Sequence, residues 1–204
     1  MNDPTNSPLA RIAVASLKKC VEKLTRVSAG AWNVDCADMS ISTLDEAVKR
    51  HSLEDEGADS TAVYFEVKGD FPFVAIMLFR SGDINIISKC MLGYSFSPLP
   101  EVTHSGELLL SELGNIILNS FVSAMSNALG KVFIPTAPRC LKGDPKYLLE
   151  AMGIAREVKQ RYRLVSVKLD IQCGKNSTKS EVLGLIPESL EEELLRIEEQ
   201  GQAS

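Results

Sequence analysis

Glu112 and Asn115 are the residues of this 204-residue chain whose types and spacing point to chemistry. Three positions apart on a helix, they stand one turn from each other on a common face, about 5–6 Å between Cβ atoms. A carboxylate can pair with a cation, and a carboxamide presents an acceptor and two donors without adding charge. The spacing itself establishes only that the two groups share a face. That face continues through Asn119, Ser123 and Ser126, again at steps of three and four. Past Glu107 the run holds no charge except Glu112. A solvated helix face normally carries Lys and Glu, so a polar but nearly uncharged stripe reads as a surface shaped to meet something.

The element that must carry these groups is a single long helix, Glu107–Leu129, closed by Gly130. Leu109, Leu113, Ile116 and Ile117 are expected among its buried positions. Gly114, beside the pair, costs about 1 kcal/mol of helix stability against Ala; it would permit close approach of a partner backbone or of another helix.

Upstream, Ser7-Pro8 opens a first helix in which Leu9, Ile12, Ala13, Leu17, Cys20, Val21 and Leu24 keep helical spacing, ended by Ser28-Ala29-Gly30. Strands are expected at Ala31–Ser40, Ala62–Lys68 and Phe73–Phe79, the last two joined at Gly69-Asp70. Ser81 is read as the N-cap of a short helix ending at Leu92-Gly93. Trp32, the sole Trp, is read as a core or strand residue. Segment Ser42–Ser60 carries no clear pattern, and Met1–Ser7 is polar.

After the long helix the order repeats: a strand near Lys131–Pro135, a loop with Pro138 and Pro145, a short helix near Pro145–Met152, strands at Tyr162–Ile171 and Ser180–Leu185, and an acidic helix from Pro187 to about Glu199. Gly30 aligns with Gly130 at an offset of one hundred. The chain therefore reads as one domain, 1–204, built from two half-repeats, 8–93 and 104–199. The fold class is α+β: two layers, internally duplicated about a pseudo-two-fold axis, with two long helices on a mixed, mainly antiparallel sheet. At that offset Glu112, Asn115 and Asn119 fall on Ile12, Ala15 and Lys19, so the first half lacks the pair.

Bulk properties remove several function classes. A net charge of −5 and no basic cluster on the scale of a binding face argue against nucleic acid. Five scattered cysteines, two histidines and no CxxC argue against a structural zinc site and for free thiols in a reducing compartment. No cysteine lies in a nucleophile motif. No signal segment is present, and no run of eighteen apolar residues. A cytoplasmic protein without membrane insertion is expected.

The segment Ser111-Glu112-Leu113-Gly114-Asn115-Ile116-Ile117-Leu118-Asn119, continuing to Ala128-Leu129-Gly130, resembles the active helix of the CheC / CheX / FliY phosphatases of bacterial and archaeal chemotaxis, with length and layout nearest CheC. Their pattern is Asp or Ser, three residues, Glu, two residues, Asn, twenty-two residues, Pro. Glu112, Asn115 and Pro138 match, with residues 116–137 between; the first position is Leu108. The resemblance implies hydrolysis of the aspartyl phosphate of a CheY-like response regulator. Asn115 would place the attacking water and Glu112 would pair with the regulator's active-site Lys. Asn119 and Pro138 are further candidates for partner contact. It implies no cofactor or metal of the protein's own, since the regulator brings Mg²⁺, and it raises a CheD-like protein as a second partner. The competing reading is a non-catalytic interaction module, like the related middle domains of flagellar switch proteins.

Overall fold

The computed structural model describes residues 7–42, 60–93, 104–144, 148 and 162–202. The readings for residues 1–6 and 43–59 lie outside this set. So does most of the short helix expected at Pro145–Met152, of which Leu148 is described: buried, helical, its N–H donating to the Asp144 carbonyl at 3.0 Å.

Helix α1 spans Pro8–Val27 and starts as the sequence dictates. Ser7 is extended, its hydroxyl accepts from the Ala10 N–H at 3.1 Å, and Pro8 occupies a position whose missing N–H costs nothing. Ser7→Ala should lower stability by about 1 kcal/mol, read as a shift of the urea midpoint with unchanged slope. The helix stops at Val27 with Ser28 as C-cap. Gly30 and Gly130, which align in sequence, do different work. Gly130 adopts φ 61° and closes the long helix. Gly30 is buried, and a Cβ on it would lie 2.6 Å from Cys90 Sγ, so it lets two helix ends meet.

The strands are β1 (Ala31–Ser42), β2 (Ser60–Lys68), β3 (Phe73–Arg80), β4 (Ile134–Pro135), β5 (Arg139–Gly143), β6 (Tyr162–Cys173) and β7 (Asn176–Pro187). They form one sheet in the order β1-β6-β7-β3-β2, with β4 and β5 in tandem along the outer side of β2. Every pairing among the described residues is antiparallel, so the mixed component expected from sequence is not found. Exchange the two halves, β1 with β4/β5, β2 with β6, β3 with β7, and the order becomes its own reverse. That is the pseudo-two-fold arrangement, with the β3–β7 pair at the centre.

Period-two alternation decides which face each strand residue meets. Phe73, Ala75, Met77 and Phe79 join Val165, Val167, Leu169 and Ile171 in the main core. Val74, Ile76 and Leu78 turn to the opposite face with Tyr162, Leu164, Leu183 and Leu185. Buried on both faces, β3 reads as an unbroken apolar run. The strand β5 falls where a loop was expected. Its residues, Arg-Cys-Leu-Lys-Gly, line an edge and none is fully buried, so no alternation marks it. The expected Lys131–Pro135 strand shrinks to β4.

Ser81 is not an N-cap. A 3₁₀ turn, Ser81–Asp83, precedes helix α2 (Ile84–Leu92), and the buried Ser81 hydroxyl bonds the Thr61 hydroxyl at 3.1 Å. The α2 C-terminus is as expected, with Gly93 left-handed at φ 81°. Helix α3 runs His104–Leu129, starting three residues before the expected boundary, and α4 spans Glu188–Gln202. By length and hydropathy α3 would pass for a membrane span, yet Leu110, Leu113, Ile117, Leu118, Phe121, Val122 and Met125 are buried in the main core beneath it. It is a core helix packed on one face of the sheet.

Candidate functional site

Helix α3 sits on the sheet at two close approaches. A Cβ on Gly114 would lie 2.6 Å from Val63 Cγ1 and 2.8 Å from Val63 Cβ, so the helix backbone rests directly on β2. The glycine thus serves the sheet, not a partner or the other helix. One end of the contact line is marked further along by Phe121, whose ring packs against Gly184 of β7 and edge-on to Phe73 at 6.2 Å between centroids. These contacts set the rotation of the helix about its axis. With Gly114 facing the sheet, Glu112 is exposed and Asn115 half-buried on the outward side, together with Asn119 and Ser123.

Leu113 and Ile117 are buried as expected, and Leu109 is half-buried. Ile116 is 47% exposed, against the expectation that it would be buried, and Leu108 is 53% exposed. Both belong to the outward stripe, since Leu108, Glu112 and Ile116 recur every four residues. The ridge is therefore a carboxylate flanked by two apolar side chains, with the Asn115 and Asn119 carboxamides alongside. The signal was available: a residue four positions from Glu112 shares its face. In a helix apolar nearly all round, hydropathy alone does not reveal this phase.

The structure joins two of the candidate residues directly. Asn119 Nδ2 donates to Asn115 Oδ1 at 2.7 Å. Among the described residues no hydrogen bond or ion pair connects either of them to Glu112 or to Pro138. Pro138 lies off the helix, where the edge strand passes from β4 to β5. Thr136 exchanges hydrogen bonds with Glu66, and Arg139 pairs with Tyr64, so Ala137 and Pro138 together oppose the single residue Phe65. This is a one-residue bulge, and a proline there forfeits no ladder bond.

Helix α1 is the counterpart of α3 and runs antiparallel to it. Ser120 Oγ donates to the Ser16 carbonyl at 3.2 Å, while Cys20 Sγ approaches the Ile116 carbonyl at 4.0 Å. These two bonds exchange under an offset of one hundred. The buried faces, which fix helix phase, superpose better at 101. Leu9, Ala13, Ser16, Cys20 and Leu24 then fall on Leu110, Gly114, Ile117, Phe121 and Met125, all buried, whereas one hundred sets buried Ser16 on exposed Ile116. The faces involve more positions than the two rim bonds and set the phase of the helices. The counterparts of Glu112 and Asn115 are then Arg11 and Val14 rather than Ile12 and Ala15. Arg11 is committed to Glu198 of α4 at 2.5 Å. Neither assignment gives the first half a carboxylate and a carboxamide.

The thiols of Cys20, Cys90 and Cys140 are poor candidates for nucleophiles. Burial pushes the Cys20 and Cys140 thiols up, and burial with the neighbouring Cys173 pushes Cys90 to about 12. All three stay protonated near neutral pH. Brief iodoacetamide treatment of the folded protein at pH 7.5 should leave them unmodified while glutathione present in the same tube is alkylated, as peptide mass mapping would show.

The CheC-like family model matches residues 109–141, the stretch from the site helix to the middle of β5. Comparison with curated protein sequences gives no match. Among solved structures, FliY of Thermotoga maritima superposes with a TM-score of 0.64 at 11% identity, covering 92% of this chain and 91% of that one. The FliM middle domain from Vibrio alginolyticus gives 0.57 at 12% identity, covering 93% and 99%. CheX in the CheX–CheY–BeF3–Mg²⁺ complex from Borrelia burgdorferi gives 0.51 at 15%, covering 89% and 99%. The resemblance to the CheC / CheX / FliY proteins thus holds at two levels, as a shared α+β fold over nearly the whole chain and as the CheC-like sequence signature over the segment that carries Glu112 and Asn115.

Proposed function

We propose that this protein is a phosphatase of a CheY-like response regulator, and that it acts in the cytoplasm. The receiver domain's aspartyl phosphate is an acyl phosphate, already activated for loss of its carboxylate. Water attacks phosphorus in line, the bond from phosphorus to the aspartyl oxygen breaks, and the products are inorganic phosphate and free Asp. The receiver's own Mg²⁺ and Lys stabilise the phosphoryl charge, so a phosphatase has only to place the water. Asn115 does this through its carboxamide. Glu112 pairs with the receiver's Lys and sets the register of the docked helix. Desolvation of that Lys–Glu pair offsets part of its attraction, so its main effect is on orientation.

The observation that carries this reading is the joint outward placement of Glu112 and Asn115 on a helix face that the CheC-like model matches. The structure of a CheX bound to CheY supports the class of partner. Glu112→Ala should raise the KM for phosphorylated receiver and lower kcat less than the loss of Asn115 would. The decisive measurement is the decay of a phosphorylated receiver with and without this protein; equal decay at saturating protein would refute the proposal. A CheD-like protein is a further partner to test in the same assay.

A second reading rests on the likeness to the FliM middle domain and on Leu108, which puts an apolar side chain where the phosphatase pattern has Asp or Ser. In that reading the same ridge binds a receiver without hydrolysing it. Binding with unchanged decay would select it.

A further inference from the structure

Asn115 does not stand alone on its ridge. Its Oδ1 accepts a hydrogen bond from Asn119 Nδ2 at 2.7 Å, one turn further along α3, and both side chains are half-buried. An isolated carboxamide on a helix surface has two nearly isosteric orientations, related by exchange of its oxygen and nitrogen, and a spread of χ2 angles within each. Only one orientation offers an acceptor to a water hydrogen at a given point. The carboxamide oxygen has two lone pairs. With one taken by Asn119, the oxygen lies on the side towards Asn119, the Nδ2 donors are turned the opposite way, and among the described residues no other hydrogen bond is made to this oxygen.

We infer that Asn119 is a positioning residue, a lock that holds the Asn115 carboxamide in the one orientation that presents acceptor to water and donor to a phosphoryl oxygen. The inference rests on the phosphatase reading for its kinetic consequence, though not for the lock itself. Asn119 would then contribute through Asn115 rather than by touching the partner.

Two measurements on the full chain test this. In steady-state dephosphorylation of a phosphorylated receiver, Asn119→Ala should lower kcat about three- to tenfold, the population factor of one net hydrogen bond, with KM unchanged. Asn119→Asp keeps the shape but, ionised, has no proton to donate to Oδ1, and should lower kcat as well. It also serves if the alanine variant fails to fold. Unchanged kcat, or a loss confined to KM, would overturn the lock and make Asn119 a partner contact. In ¹⁵N relaxation the Asn115 side-chain amide should be as ordered as the α3 backbone in the unmodified protein and mobile in Asn119→Ala, with backbone order unaltered. An equally ordered Asn115 amide in both proteins would also overturn it. If the unmodified protein has no phosphatase activity, the proposed function fails and the relaxation result still decides whether the lock exists.

Discussion

Replacing Asn115 by Ala is expected to remove at least about a hundredfold of the catalysed rate, the scale associated with misplacing a reacting group by an ångström or so, and to leave the fold intact. The side chain is half-buried and, among the described residues, its only hydrogen bond is to Asn119, on the same helix, so its loss empties no core cavity. A thermal midpoint within a degree or two of the parent, beside receiver decay close to the spontaneous rate, is the expected pair of results. Asn115→Asp sharpens the test. It preserves shape and an acceptor but brings a negative charge towards a phosphoryl group that is already negative. An inactive Asp variant supports orientation by a neutral group. An active one would mean that a general base suffices and that the carboxamide is not needed for its neutrality. Undiminished turnover in Asn115→Ala at saturating receiver would mean that another group places the water.

The second large effect concerns Gly114. Ala is the better helix former by roughly 1 kcal/mol, so an exposed helical Gly→Ala substitution stabilises. Here a Cβ would sit 2.6 Å from Val63 Cγ1 and 2.8 Å from Val63 Cβ, both on a strand of the sheet with little freedom to retreat. Overpacking of this kind costs about 1–3 kcal/mol or more, and the expected net result is destabilisation. Val63→Ala on its own should also destabilise, by opening space in the core. The two together should recover part of the loss, a favourable coupling that a double-mutant cycle in urea would measure. Additive losses would show that the helix rides clear of β2. Because Gly114 adjoins Asn115, lifting α3 should also lower activity, and the double variant should regain some of it.

Much of this was legible in the chain. Ser7-Pro8 gave the first helix its start because a cap and a proline act locally. The β2–β3 hairpin showed through Gly69-Asp70 and its apolar runs, β6 and β7 through their apolar runs, and the site helix through its length and its polar stripe. What escaped depends on tertiary placement. The exposure of Ile116 is not legible because hydropathy sees an apolar residue, whereas the contact of Gly114 with Val63 decides which way the helix faces. Ser81 has the composition of a cap but found a better partner in Thr61, across the β2–β3 pair. β5 escaped because an edge strand needs no apolar alternation to pair. The offset between the halves came out one residue short on the helices, since the two glycines used to set it occupy different conformations.

Pro138 has a match at the other margin of the sheet. There the β1–β6 register slips by one residue between Val34 and Cys36, leaving Asp35 as the extra residue. Both outermost strands are thus interrupted near a third of their length, one by an acidic residue and one by a residue without an N–H. An outer strand with an unbroken row of amides and carbonyls is a template on which further chains can stack and grow into fibres. A sheet of seven strands with a long, apolar interior is the kind that most needs protection from such growth. By breaking the row at both margins, the fold gives a duplicated chain an extended sheet whose outer strands offer no continuous template.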